Sequence, residues 1–125
     1  MKGNRLTRVN DLLLKEIADI LMTRLRDPRL GFTTVTAVEV SADLRNARVF
    51  VSFLGGDPDF GPRLDILNHA APFVRHELAE RKLDLRVLPE LRFKADHSLE
   101  HAQRIQQLLR ETGMEPGPPE PNSSE

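Results

Sequence analysis

The 125-residue chain contains no cysteine, no tryptophan and no tyrosine. Without cysteine there is no disulfide framework, no thiolate zinc site and no cysteine nucleophile. Without tryptophan or tyrosine, and with most of the six phenylalanines at core-like positions, base stacking has few candidates. Long apolar runs are missing too. The first hydrophobic segment follows Lys2, Arg5 and Arg8 and is broken by Asp11, Lys15, Glu16 and Asp19, so it reads as neither signal peptide nor membrane span. A reducing cytoplasm and no membrane are expected. No G-x-x-x-x-G-K-[ST] phosphate loop occurs, and Asp57 and Asp59 after Gly55-Gly56 would repel a phosphate.

Strong basic charge is also lacking. The formal net charge is −1, where nucleic-acid-binding domains are usually basic. That figure hides an uneven distribution. The last thirteen residues, GMEPGPPEPNSSE, hold Glu115, Glu120 and Glu125 and no base; without those three acids, 18 bases face 16 acids. Residues 1–31 carry seven bases against four acids, and residues 62–94 seven against five. A weakly basic body permits RNA binding without requiring it.

What is present is a globular composition, 39% hydrophobic and 30% charged, in one domain's length of chain. Val9, Leu13, Ile17, Ile20 and Leu21 form one apolar stripe and predict a helix over 5–26, stopped by Pro28. FTTVTAVEVS (32–41) and NARVFVSF (46–53) predict two strands, antiparallel because the link is short. In LNHAAPFVRHEL (67–78), Leu67, Ala70, Ala71, Val74 and Leu78 keep helical spacing around Pro72. Proline suits the first position of a helix better than its interior. The expectation is therefore two helices, 62–71 and 72–82, meeting at a bend. A third strand is expected over 85–93, parallel to its neighbour after a helical crossover. A last helix is expected over 98–112, capped by Asp96 or Ser98. The tail from 113 has nothing to bury and reads as disordered. The predicted order is α-β-β-α-α-β-α, an α+β domain with a three-stranded mixed sheet and helices packed on it.

The chemistry-bearing residues give no catalytic pattern. His97 and His101 share helical spacing, with only Asp96 and Glu100 near enough to complete a metal site; exposed helix-start histidines account for them as well. His69 and His76 flank the proline, and Asp96, His97 and Ser98 are merely consecutive. No metal or catalytic site is expected. Arg75, Arg81, Lys82, Arg86, Arg92 and Lys94 crowd the bent helical unit and the strand after it. They fit either phosphate recognition or a solvated face paired with Asp65, Glu77, Glu80 and Glu90.

Several segments together resemble ribosome-binding factor A, a bacterial small-subunit maturation factor. They are RVNDLLLKEIADIL, DPRLGFTTVTAVEVSADLRNARVFVS, LNHAAPFVRHELAERKLDLRVLPELRF and DHSLEHAQRIQQLL, covering about residues 5–109. The resemblance implies a KH-like fold of the second type, residues 1–112, in which a kink replaces the phosphate-binding loop. Ala70, Ala71 and Pro72 stand at that kink, with proline where the family usually has glycine. It also implies no enzymatic activity and no cofactor. The implied partners are the free small (30S) ribosomal subunit and its 16S rRNA, including the 5′-end helix. The implied roles are late maturation, rRNA processing and growth in the cold, by a factor acting as a monomer. Residues implied near RNA are Arg75 and Arg81 presenting guanidinium groups after the bend, Asn68 before it, Arg45 and Arg86 along the sheet, and Arg5 and Arg8 from the first helix. Arg26 and Arg29 have a structural alternative, bracing the turn around Pro28. The rival reading is a protein–protein module of similar architecture that binds no RNA.

Overall fold

The computed structural model describes residues 2–111, with side chains for 5–98 and 105–111. Helix α1 (Lys2–Thr23) buries Leu13, Ile17 and Ile20 completely. It ends where Arg24 and Leu25 both donate their N–H to the Ile20 carbonyl (2.8 and 2.9 Å), just ahead of Pro28. At that turn Arg29 Nη2 lies 2.6 Å from Asp27 Oδ2, and Arg29 N donates to Asp27 Oδ1 (3.0 Å). Bracing of the turn is thus what Arg29 does.

These bonds, the side-chain bond first, hold the Asp27 carboxyl down at about 2. An unfolded aspartate titrates near ~3.9. Folded Asp27 therefore binds its proton less tightly, so its stabilising effect is complete above about pH 4 and vanishes as pH falls through 2. A carboxyl titration of Asp27 by NMR should show a midpoint near 2; a midpoint near ~3.9 would mean that the clamp is absent in solution.

Strands β1 (Phe32–Val40) and β2 (Asn46–Leu54) are antiparallel, with Phe32 opposite Leu54, Val40 opposite Ala47 and a bulge between Val35 and Ala37. Their turn is built by Asp43, whose Oδ1 accepts from Ser41 Oγ (2.7 Å) and Arg45 N (3.1 Å), with Leu44 at φ 63°. Helix α2 (Gly61–Glu80) crosses over to β3 (Glu90–Ala95), which pairs parallel to β2 from Asn46↔Glu90 to Val51↔Ala95. Helix α3 (Ser98–Glu111) follows; Asp96 Oδ1 accepts from Ser98 N at 2.9 Å and Ser98 Oγ at 2.6 Å ahead of it. The order is β1-β2-β3, the mixed sheet expected.

Alternation puts Val35, Val38, Ala47, Val49, Val51, Leu91 and Phe93 on one sheet face, sealed by Leu13, Ile17, Leu67, Val74 and Leu78 of the two helices. The other face shows Glu39, Arg48, Arg92 and Lys94, all exposed, with Phe50 half-buried. Two expectations need correcting. The chain has one helix over 61–80 rather than two, so the order is α-β-β-α-β-α. The third strand starts at Glu90, five residues later than expected, because residues 83–89 are an irregular loop tied to α2. The tail beyond 112 lies outside the described residues.

Candidate nucleic-acid interface

Pro72 sits in the middle of α2, exposed, with no break in the helix. Its missing N–H deprives the Asn68 carbonyl of its normal donor, and a proline inside a helix costs ~3 kcal/mol relative to alanine. Packing outweighs that cost. Leu67, Ala71, Val74 and Leu78 form one buried row that runs straight past the proline. Full burial of each Leu or Val contributes about 1.5–3 kcal/mol, and splitting the helix would turn half the row away from the sheet.

Two polar side chains then pin both halves of α2, one to the free edge of β3 and the other to the loop just before it. The Asn68 carboxamide mimics a strand: Oδ1 accepts from Phe93 N (2.8 Å) and Nδ2 donates to Phe93 O (3.2 Å). Arg75, one turn past the proline, donates Nε to Pro89 O (3.1 Å) and Nη2 to Leu88 O (2.8 Å). Removing Asn68 strands two half-buried peptide groups. Asn68→Ala should therefore cost about 2 kcal/mol in a denaturant titration. Asn68→Asp should recover little, since its carboxylate faces the Phe93 carbonyl; a neutral Asn68→Ala would deny the stitch any weight.

Between α2 and β3 lies a groove of about 640 Å³, walled by Ala71, Pro72, Arg75, His76, Glu90 and Leu91. Ala70, half-buried, adjoins Ala71 on the helix. The sequence-predicted residues divide around this groove. Asn68 and Arg75 are its braces. Arg81 faces the other way, with Nη1 2.8 Å from Glu16 Oε1 and Nη2 2.8 Å from Asp19 Oδ2, joining α2 to α1. Both acids raise the Arg81 pKa above its ordinary value, Glu16 first. Arg75 and Arg81 thus spend their guanidinium groups inside the fold, and the acids that pair with Arg81 lie on another helix, not at i±4.

The remaining four converge on one end of the sheet. The Arg45 carbonyl accepts from Glu90 N (2.8 Å), which sets the β1–β2 turn beside the start of β3, four residues after Arg86. Asn10 Oδ1 accepts from Val40 N (2.9 Å), drawing the amino half of α1 to the same end. Arg8 lies two residues before Asn10 and Arg5 one turn further. Arg5, Arg8, Arg45 and Arg86 are exposed and enter no ion pair among the described side chains. Arg45 and Arg86 therefore flank the start of β3, where Glu90 and Leu91 line the groove, while Arg5 and Arg8 lie by the end of β1, across the sheet from it.

Other features were hidden in the sequence. Phe73, beside Pro72, is exposed, as is Phe32, so fewer phenylalanines are core than expected. Arg63 is buried. Its guanidinium lies 4.5 Å from the Phe53 ring centroid and donates to the Gly55 and Asp57 carbonyls. It braces the loop where Gly55 and Gly56 take φ of 75° and 77°, and a Cβ on Gly56 would stand 3.1 Å from it. Among the described residues no three His, Asp or Glu side chains group as metal ligands. The His101 side chain lies outside the described set. No described helix is long and apolar enough to cross a membrane.

Residues 5–109 match the family model described as ribosome-binding factor A. A ribosome-binding factor A from Thermomicrobium roseum is 47% identical over 115 residues, covering 92% of this chain and 88% of the relative. The crystal structure of ribosome-binding factor A from Thermus thermophilus superposes with a TM-score of 0.64 at 29% identity, over 72% of this chain and 94% of that one. A homology model of the T. thermophilus factor, fitted into a cryo-EM map of a 30S complex, superposes with a TM-score of 0.58 at 30% identity, over 70% and 91%.

Proposed function

The chain belongs to the ribosome-binding factor A family, whose members are non-catalytic assembly factors of KH-like fold, and on that premise we propose that it binds the free 30S subunit and its 16S rRNA during late maturation. The observation that carries the reading is the T. thermophilus factor fitted in a 30S complex. The geometry adds a surface of suitable chemistry, four exposed guanidinium groups toward one end of the sheet, none of them in an ion pair among the described side chains. Arginine forks suit phosphate oxygens, and the shortage of exposed aromatics favours contacts to backbone and shape over splayed bases.

Residues 1–112 form the RNA-binding unit. Arg5, Arg8, Arg45 and Arg86 meet phosphates directly. Ala70, Ala71 and Pro72 form the groove wall that RNA lies against, Asn68 and Arg75 hold that wall in place close to the RNA, and Arg81 steadies the same helix from its far side. The factor works in the cytoplasm as a monomer. It favours one arrangement of immature 16S rRNA, including the 5′-end helix, and so shifts the population toward the form that is processed. That preference matters most in the cold, when alternative RNA helices persist.

Cosedimentation with purified free 30S subunits and with whole ribosomes tests this. Binding to free subunits that weakens steeply with salt is expected. No association at low salt would leave the protein–protein reading in its place.

A further inference from the structure

The end of the sheet opposite the four arginines carries a second concave surface. A cavity of about 480 Å³ lies between the end of α1 and the start of β1, floored by Leu21, Leu25 and Leu30 and edged by Met22, Pro28 and Phe32. Met22 is 72% exposed and Phe32 59%, and Leu54, opposite Phe32 in the sheet, is 70% exposed. Patches of exposed large apolar side chains around a hollow mark interaction sites. The charges at its rim are unequal. Arg29 is taken by Asp27 and Arg24 by Glu77, whereas Arg26 gives only its Nε to the Thr23 carbonyl and has no carboxylate among the described side chains. The site therefore suits an apolar, extended and acidic occupant.

The chain carries such a segment beyond its last described helix. Residues 115–121 read EPGPPEP and contain two overlapping P-x-x-P repeats, 116–119 and 118–121, together with Glu115 and Glu120 and no base. P-x-x-P sequences favour the polyproline II conformation, whose three-residue turn stacks prolines on a common face, and such segments dock into aromatic-edged grooves. The reach is sufficient. Helix α3 leaves from the end of β3, the same end of the sheet as Phe32 and Leu54, and its 14 residues span about 21 Å. Residues 112–118, at about 3.1 Å each, cover a similar distance back.

We propose that the groove of Met22, Leu25, Pro28 and Phe32 is the docking site of the chain's own segment 115–121, with prolines on the apolar floor and Glu115 or Glu120 paired with Arg26. Docking there would hold the acidic tail at the end of the domain remote from Arg5, Arg8, Arg45 and Arg86, where its charge would oppose phosphate binding.

The absence of cysteine makes the test direct. A nitroxide on Asn122→Cys in the full chain should broaden the backbone amide signals of Met22, Phe32 and Thr33, unchanged on dilution. Exposed ion pairs contribute little each, so Arg26→Glu, or Glu115→Lys with Glu120→Lys, should lower the docked population about two- to fivefold. The tail variants lie beyond the described elements and leave the core of the domain untouched. Broadening that fades on dilution would assign the groove to another copy's tail and overturn the proposal. No broadening, or broadening spread evenly over remote amides, would remove it as well.

Discussion

Replacing Arg5, Arg8, Arg45 and Arg86 together with glutamine is expected to weaken binding to free 30S subunits by two to three powers of ten near ~0.15 M salt. A guanidinium that neutralises one phosphate releases counterions, and its removal takes roughly 0.7–0.9 from the slope of log affinity against log salt. At ~0.15 M that is about 0.6–0.7 log units per phosphate, and four of them give the stated range. The fold should survive, because all four side chains are exposed and none is in an ion pair among the described residues. Arg75 and Arg81 could not be reversed with the same impunity. Reversal at Arg81 would place an acid against Glu16 and Asp19, and reversal at Arg75 would set one against the Leu88 and Pro89 carbonyls. A variant at those positions would mix weaker binding with lower stability. Circular dichroism and thermal melting of the fourfold variant, matching the parent, separate the two.

Pro72→Ala is expected to raise the unfolding free energy by about 2 kcal/mol. Alanine restores a donor for the Asn68 carbonyl and relieves the ~3 kcal/mol interior penalty. About 0.4–1 kcal/mol returns to the unfolded chain, which proline had stiffened. Little packing is given up, since Pro72 is exposed. The melting temperature should rise by roughly 10 °C for a domain of this size. Glycine should fall between the two. A lower stability in Pro72→Ala would mean that proline is matched to a broken helix, as the two-helix expectation required.

That expectation shows where sequence reasoning stopped. The amphipathic stripe of α1 and the alternation of β2 are repeated local patterns, and both elements formed within a few residues of their expected limits. The parallel pairing of β2 with β3 followed from the crossover rule. Pro72 gave a correct local signal, but propensity yielded to a buried row of four residues whose partners lie on distant strands. The strand expected from 85 begins only at Glu90, because Arg75 ties the Leu88 and Pro89 carbonyls to α2 instead of leaving them to a strand. Asn68 is expected only as a polar contact near RNA, and nothing in the sequence singles out Asn10. Each instead plugs an edge strand, at sequence separations of 30 and 25, which no local pattern records. The cationic end was legible only in part. The arginines could be counted, but which had carboxylate partners depended on α1 lying against α2.

The central claim is that Arg5, Arg8, Arg45 and Arg86 carry the phosphate contacts. The most direct measurement is the salt dependence of binding to free 30S subunits, full chain against the four-glutamine variant, over ~0.05–0.3 M salt. The slope of log affinity against log salt should become shallower by about 3 in the variant. Equal slopes for the two proteins would contradict the claim and move the RNA contact to another face.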